Sequence, residues 1–327
     1  MTDAAFRIRP ARPGDADAVA RLCAALSAEK GLPAPAFTAA HFRRDGVGPE
    51  AAFSGLVAER DGAPLGYALH ARDYDTDRLE RCVCLADLFV EKTARRLGIG
   101  RALVAGVAAA GRDYGATCLS WGVRADNAGA RAFYRAIGGA EHPEMIWCLA
   151  GPDHLETLIR RALPPGVALR EGRVADVPVL ARFLEALFHD MDRAPPPEIE
   201  RRLARDGFGS PRFFSSLLAE RDGGPVGYAF FWGGYDTQTA SRTTILSDLY
   251  VAPEARRAGI GAALMSEVAR RGRAAGAPQL RWPVFADNRR AREYHARIAV
   301  EEPNVIYCLA DGAAFERLIA AAPPVEP

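Results

Sequence analysis

Several things that would place the chain quickly are missing from it. No run reaches the roughly 18 apolar residues that a membrane-spanning helix needs. The opening segment, MTDAAFRIRPARPGDADAV, lacks the apolar stretch of a secretory leader. Neither sign of charge dominates: 42 basic residues stand against 41 acidic ones, a formal net charge of +1. The basic residues are scattered among acidic ones, which gives no support to a sequence-independent nucleic-acid binder. Cysteine is scarce, six in 327 residues, with no Cys-x-x-Cys pair and no Cys/His group at zinc spacing. These absences predict a cytoplasmic protein without a metal site. Its cysteines, Cys82, Cys84, Cys118, Cys148 and Cys308 among them, are expected to be reduced and to pack as small apolar side chains.

What the chain does contain, it contains twice. Ala58 and Ala219 both open AERDG, 161 positions apart. The same offset relates Gly66 and Gly227 (GYA), Tyr74 and Tyr235 (YDT), Gly98 and Gly259 (GIG), and Ala125 and Ala286 (ADN). Cys148 and Cys308, which both open CLA, are 160 apart, so one residue has been lost between AIGGAE and RIAVEE. A repeat this long is a duplicated domain, since solenoid units are far shorter. The seam falls at LPPGV, Leu163–Val167, which predicts domains over 1–163 and 164–327. Apolar residues make up 49% of the chain, enough for each half to bury a core.

Within one repeat, FRIRPA reads as a strand and PGDADAVARLCAALSAEKG as a helix closed by Gly31. A second helical stretch covers about Thr38 to Arg44. FSGLVAERDGAPLGYALHARDYD reads as a hairpin turning at Asp61-Gly62, and RCVCLADLFV as a further strand. A helix to Gly115, the strand CLSWGV, a helix over NAGARAFYRAIG and a last strand EMIWCLA follow. Mixed strands and helices in this order predict an α/β or α+β layer architecture.

The stretch ARRLGIGRALV joins a strand to a helix through two glycines. Without side chains there, backbone N–H groups can approach a ligand closely, and a helix N-terminus adds unpaired donors and partial positive charge. Such an element suits a phosphate. It has no Gly-Lys-Ser/Thr of a Walker loop. Nor is it a dinucleotide loop, because the third glycine position holds Leu103 in one copy and Leu264 in the other.

The run LFVEKTARRLGIGRALV resembles motif A of the GCN5-related N-acetyltransferases (GNAT), whose pattern R/Q-x-x-G-x-G/A is met by Arg95, Gly98 and Gly100, and again by Arg256, Gly259 and Gly261. DNAGARAFYRAIGGAE resembles motif B, with Asn127, Phe133, Tyr134 and Gly138 at family spacing. Within the superfamily the likeness is greatest to diamine (spermidine/spermine-type) acetyltransferases, on the order of RRDGVGPEAAF, LVAERDG, GYA, YDT and ADLFV.

The resemblance implies two tandem GNAT folds, each a mixed, splayed sheet flanked by helices, acting on acetyl-CoA and a small amine. It implies a pyrophosphate on the backbone of Arg96, Leu97, Gly98, Ile99, Gly100 and Arg101, with Arg95 adding charge. The pantetheine arm pairs with Leu88, Phe89 and Val90, where the strands part. The second copy offers Leu249, Tyr250 and Val251, then Arg256, Arg257, Ala258, Gly259, Ile260, Gly261 and Ala262. Asn127 and Asn288 hold the cofactor or cap the following helix. Since related enzymes pair two subunits, the resemblance also implies an internal pseudo-dimer.

Tyr134 is the implied general acid, protonated at neutral pH and able to give a proton to the departing thiolate. Aligning the copies sets His295 opposite Tyr134, Tyr294 opposite Phe133 and Pro283 opposite Gly122. This predicts a weakened or non-catalytic C-terminal unit. The diamine branch carries a glutamate where this chain has Ala86 and Ser247, while Asp87 and Asp248 remain. Glu29, Asp190 and Asp192, in the segments expected to form the acceptor pocket, point to a cationic acceptor. Two alternatives stay open: a non-catalytic acyl-CoA sensor or scaffold, and an enzyme for antibiotic or protein amines.

Overall fold

The computed structural model describes residues 6–48 and 50–325, and each repeat starts as its patterning requires. Strand β1 (Arg7–Pro10) leads into helix α1 (Ala16–Glu29). At its entry the Asp15 carboxylate accepts from the Arg12 N–H at 2.7 Å. Thr38 caps the single turn α2 (Ala39–His41). Asp61 and Gly62, both at positive φ (51° and 77°), make the two-residue turn between β2 (Ser54–Arg60) and β3 (Ala63–Asp75). Strand β4 (Glu80–Val90) runs antiparallel to β3. Helix α3 (Ile99–Arg112) crosses back, so that β5 (Cys118–Arg124) lies parallel to β4. The repeat ends with α4 (Ala128–Ala136), β6 (Ala140–His142), β7 (Met145–Ala150) and α5 (Pro152–Ile159).

The second repeat follows the same course. Its first half is β8 (Val167–Glu171), α6 (Val177–Asp190), α7 (Ile199–Phe208), β9 (Ser215–Arg221), β10 (Gly224–Asp236) and β11 (Ser241–Val251). Its second half is α8 (Ile260–Ala274), β12 (Leu280–Phe285), α9 (Arg289–His295), β13 (Val300–Glu302), β14 (Val305–Asp311) and α10 (Gly312–Ala320). The two mixed sheets with flanking helices match the architecture that the resemblance implies.

Neither sheet keeps to residues 1–163 or 164–327. One runs β1-β2-β3-β4-β5-β14-β6, the other β8-β9-β10-β11-β12-β7-β13. The repeats have traded closing strands. Strand β14 pairs with β5 from Val305↔Arg124 to Asp311↔Cys118, and β7 pairs with β12 from Met145↔Phe285 to Ala150↔Leu280. Each traded strand brings its helix, so Phe315 and Leu318 of α10 join the core around α3, and Leu155 and Leu158 of α5 the core around α8. The seam at Leu163–Val167 therefore divides the sequence repeats but not the folded bodies. Both closing strands carry the run Cys-Leu-Ala, so local sequence does not distinguish which sheet each one closes.

The bodies are also pinned by their β-hairpins. Tyr74, near the β3–β4 tip, donates to Asp206 at 3.1 Å, and Tyr235, near the β10–β11 tip, donates to Asp45 at 3.1 Å. Asp206 has no exposure and is also held by Arg205 and, across the repeats, by Arg81 at 2.8 Å. Removing one partner from such a buried pair costs roughly 3–5 kcal/mol. The repeated YDT is thus the tip by which each repeat grips the other.

The cysteines depart from expectation at one pair. Cys82 and Cys118 are register partners across β4 and β5 and are joined as a disulfide. Cys23, Cys84, Cys148 and Cys308 are free thiols. Among the described residues no helix is long and apolar enough to cross a membrane, and no group of His, Cys, Asp and Glu is arranged to hold a metal.

Cut at the seam, each half loses the strand that closes its sheet in the whole chain and keeps the one that closes the other's. Expressed separately, residues 1–163 and 164–327 should aggregate or self-associate, and co-expressed they should assemble one to one. Size-exclusion chromatography with circular dichroism checks this. Two stable, monomeric halves would contradict the exchange.

Candidate active site

The site of each body opens where two parallel strands part. Pairing of β4 with β5 runs from Cys82↔Cys118 to Leu85↔Trp121 and stops. There Ala86 bulges out of the β3–β4 ladder, with Leu69 opposite Asp87 and His70 opposite Leu85. Beyond the bulge, Asp87–Val90 pair only with β3, so one backbone edge of Leu88, Phe89 and Val90 faces an open gap. In the second body β11 and β12 pair only at Thr244↔Leu280 and Ile245↔Arg281, and Ser247 occupies the bulge. Pro283 follows on β12, where it offers no N–H.

Both glycine loops lie at the mouths of these gaps. Arg96 and Gly98 sit at φ 67° and 85°, Arg257 and Gly259 at 65° and 79°. Gly98 and Gly259 precede Ile99 and Ile260, the first residues of α3 and α8. The first-turn N–H groups of these helices, those of Ile99, Gly100 and Arg101 in the first body, have no intrahelical acceptor. A side chain at Gly98 would meet nothing within 4 Å, so the loop is open to a ligand. One at Gly100 would touch the Phe133 ring at 3.5 Å, the contact that sets α4 beside the loop. Loop and strand edge together offer donors for an anionic group and an unpaired backbone edge beside it.

The two leading arginines are latches. Arg95 Nε donates to the Val90 carbonyl at 2.9 Å, and Nη2 reaches both oxygens of Glu29 at 2.8 and 2.7 Å. Its guanidinium lies 5.6 Å from the Phe89 ring centre. Arg256 repeats this with Val251 at 2.8 Å, Asp190, and the Tyr250 ring at 5.5 Å. Two acids expected to draw a cationic acceptor, Glu29 and Asp190, are engaged with these arginines instead. Arg96 and Arg257 remain exposed at the loop. Asn127 and Asn288 act as N-caps, accepting from the Ala130 and Ala291 N–H groups at 3.0 and 3.1 Å.

Tyr134 is brought to the gap by α4. Its ring lies on Trp121, centroids 4.9 Å apart, at the last paired position of β5. Burial, then the negative charge of Asp87, raises its hydroxyl well above the ordinary tyrosine range. It is therefore protonated at neutral pH. His295 occupies the equivalent place against Trp282, centroids 5.3 Å apart. Burial lowers its pKa to about 4, and Nδ1 has no hydrogen-bond partner among the described residues.

The aspartates differ too. Asp87 is buried, its carboxyl raised chiefly by burial, and it accepts from Tyr67 Oη at 2.8 Å. Thr237, from the other repeat's hairpin tip, also favours its charged form. Asp248 lacks the tyrosine contact: Tyr228 Oη is buried and has no hydrogen-bond partner among the described residues. Thr76, the opposite hairpin tip, donates to Asp248 Oδ1 at 3.0 Å and lies 2.7 Å from Ser247 Oγ. Asp248 Oδ2 has no partner among the described residues. Burial, then Asp77, pushes this carboxyl up to about 7. The repeated YDT is the sequence signal these two hairpin threonines carry.

A sequence model of the acetyltransferase (GNAT) family matches residues 24–138 and again 181–299. Thialysine N-epsilon-acetyltransferase of Bos taurus is 30% identical over 145 residues, covering 42% of this chain and 85% of that protein. A GCN5-related N-acetyltransferase from Sphaerobacter thermophilus has a crystal structure that superposes with a TM-score of 0.53. Identity is 20%, over 95% of this chain and 97% of that one. The tandem GNAT protein from the clavulanic acid biosynthesis pathway superposes at 0.51, with 18% identity over 94% and 98%. The two structures share the fold.

The raised carboxyl has a consequence for stability. Below about pH 4 Asp248 holds its proton in folded and unfolded chains alike and contributes nothing. As pH rises toward the folded value of about 7, ionisation is favoured in the unfolded chain, and stability is lost. Asp248→Asn keeps the shape without the charge. It should raise Tm over the parent at about pH 8 and leave it nearly unchanged at about pH 4. Scanning calorimetry at both pH values checks this, and a pH-independent difference would contradict it.

Proposed function

The chain belongs to the acetyltransferase (GNAT) family, and we propose that it transfers an acetyl group from acetyl-CoA to a primary amine of a small cationic acceptor, chiefly at the first body's site. Acetyl-CoA is the family's cosubstrate. The open loop at Gly98, the free first-turn N–H groups of α3 and the unpaired edge of Leu88–Val90 would receive it. The observation that carries the assignment of work is the Tyr134–Trp121 pair at the point where the strands part.

The bound ammonium group first gives one proton to solvent; the neutral amine nitrogen then attacks the thioester carbonyl directly, and the carbon–sulfur bond breaks. Tyr134 gives its hydroxyl proton to the leaving sulfur, so no thiolate is released into a water-poor gap. Tyr134 recovers a proton equivalent to the one the acylated ammonium sheds. Cys118 is buried and bonded to Cys82, which removes it as a nucleophile. With Glu29 engaged by Arg95, Asp87 supplies the negative charge that draws an ammonium group. The curated relatives named thialysine N-epsilon-acetyltransferases support an amino-acid side-chain amine as the acceptor class.

The second body binds the same cosubstrate and turns over weakly. His295 is neutral at pH 7 and has no proton to spare as an imidazolium. The inter-repeat segment crosses its loop. Pro164 comes within 3.3 Å of where a side chain on Gly259 would begin, and Arg161 Nη1 lies 3.2 Å from Tyr294 Oη. His295 is also what favours a second reading, limited to this body, as a bound-cofactor sensor. The strand exchange supports the whole chain as an internal pseudo-dimer.

Tyr134→Phe removes the hydroxyl and keeps the ring on Trp121. It should lower kcat by about 10²–10⁴-fold with little change in KM. His295→Phe should cost far less. Steady-state turnover of both variants with one accepted amine checks this; equal losses would overturn the asymmetry.

A further inference from the structure

Three arginines of the first body converge on one pocket, with Glu141 near enough to Arg135 to feel its charge but not in contact with it. Arg101 stands in the first turn of α3, Arg135 near the end of α4, and Arg317 on α10, which the second repeat supplies. They line one pocket of about 250 Å³ beside Gly138. Gly138, at φ 97°, has no side chain, and Arg317 Nη2 lies 3.4 Å from where one would begin. Arg101 is aimed across the end of α4 by a 3.2 Å hydrogen bond from its Nη2 to the Ala136 carbonyl. Among the described residues none of the three has a carboxylate within ion-pair distance, although this chain pairs most of its arginines. Three like charges held around one space repel unless an anion lies among them.

The second body shows that the fold does not demand them. The positions equivalent to Arg101, Arg135 and Arg317 are Ala262, Ala296 and Thr157. The same helices form there without a single cation at these places. The arginines are thus a feature of one site only. The pocket is smaller than the roughly 300–1,000 Å³ of a whole-ligand site and suits one group of a larger molecule. Arg101 lies within one helical turn, about 5 Å, of the loop assigned to the pyrophosphate. The group needed there is a compact dianion with several acceptor oxygens, and forked guanidinium donors match a phosphate monoester.

We propose that this pocket holds the 3′-phosphate of acetyl-CoA, that the first site thereby selects the phosphorylated cofactor, and that Arg317 makes this selection depend on the second repeat. The inference rests on the cofactor reading above. Calorimetric titration of the full chain with CoA and with 3′-dephospho-CoA tests it. One class of site should lose about 10-fold in affinity when the 3′-phosphate is removed, and the other should not change. Arg317→Ala should reproduce that loss with CoA and have little effect with 3′-dephospho-CoA. Arg317→Lys should recover part of it. The loss should shrink as salt is raised, because the three side chains are exposed.

Equal binding of both cofactors, or an Arg317→Ala effect equal for the two, would overturn the proposal while leaving the cofactor reading intact. Absence of binding by either would overturn both. Inorganic phosphate that binds the cofactor-free protein and is lost in Arg317→Ala, with both cofactors still binding alike, would assign the pocket to a free anion instead.

Discussion

The pairing of β14 with β5, and of β7 with β12, is what the rest of this structure hangs on. A GNAT-type gap needs two strands that begin together and then part. The parted strand must be held on its other side, or it becomes a free edge with unpaired backbone groups. Here the seven-residue ladder from Val305↔Arg124 to Asp311↔Cys118 holds β5 along its length. The β4 side can then stay open beyond Leu85↔Trp121 without loss of the sheet. Because the holding strand comes from the other repeat, neither gap exists without both halves of the chain. Helix α10 arrives with β14, so a residue of the second repeat stands beside the loop of the first.

The same arrangement makes the two sites unequal. Reciprocal hairpin tips enter both, but they meet different partners. In the first body Asp87 keeps Tyr67 and tolerates Thr237 beside it. In the second, Thr76 takes one oxygen of Asp248 and leaves Tyr228 alone in the core. The acid positions have diverged in the same direction. Tyr134 on Trp121 remains protonated at any physiological pH, while burial strips His295 of its proton well below neutrality. One site holds a protonated tyrosine hydroxyl and lies beside three arginines. The other holds a neutral imidazole and is crossed by the segment that joins the repeats.

Much of this was readable from the chain because it is local. A glycine at positive φ before a helix, an asparagine three residues ahead of a free N–H, and Asp-Gly in a tight hairpin each act within a few residues. Gly98, Asn127 and Asp61-Gly62 behave as their neighbours dictate. Strand and helix periods placed the main elements, and self-similarity exposed the duplication. The short β6 and β13, of three residues each, escaped because three residues carry no period. The pairing of Glu29 is hidden from the sequence for a related reason. Its partner Arg95 lies 66 positions away, so an acid in a pocket segment looked free when it was engaged.

The sequence by itself determined that there are two units of one fold, where each loop opens, and which residues differ between the copies. It did so because backbone conformation and hydrophobic period are settled by nearest neighbours along the chain. The tertiary structure alone decided whose strand closes which sheet. That choice rests on contacts between segments far apart in sequence and nearly identical in composition, Cys148–Ala150 against Cys308–Ala310. Once it was made, it settled which side chains meet: Thr76 with Asp248, Thr237 with Asp87, and Arg317 with Arg101 and Arg135.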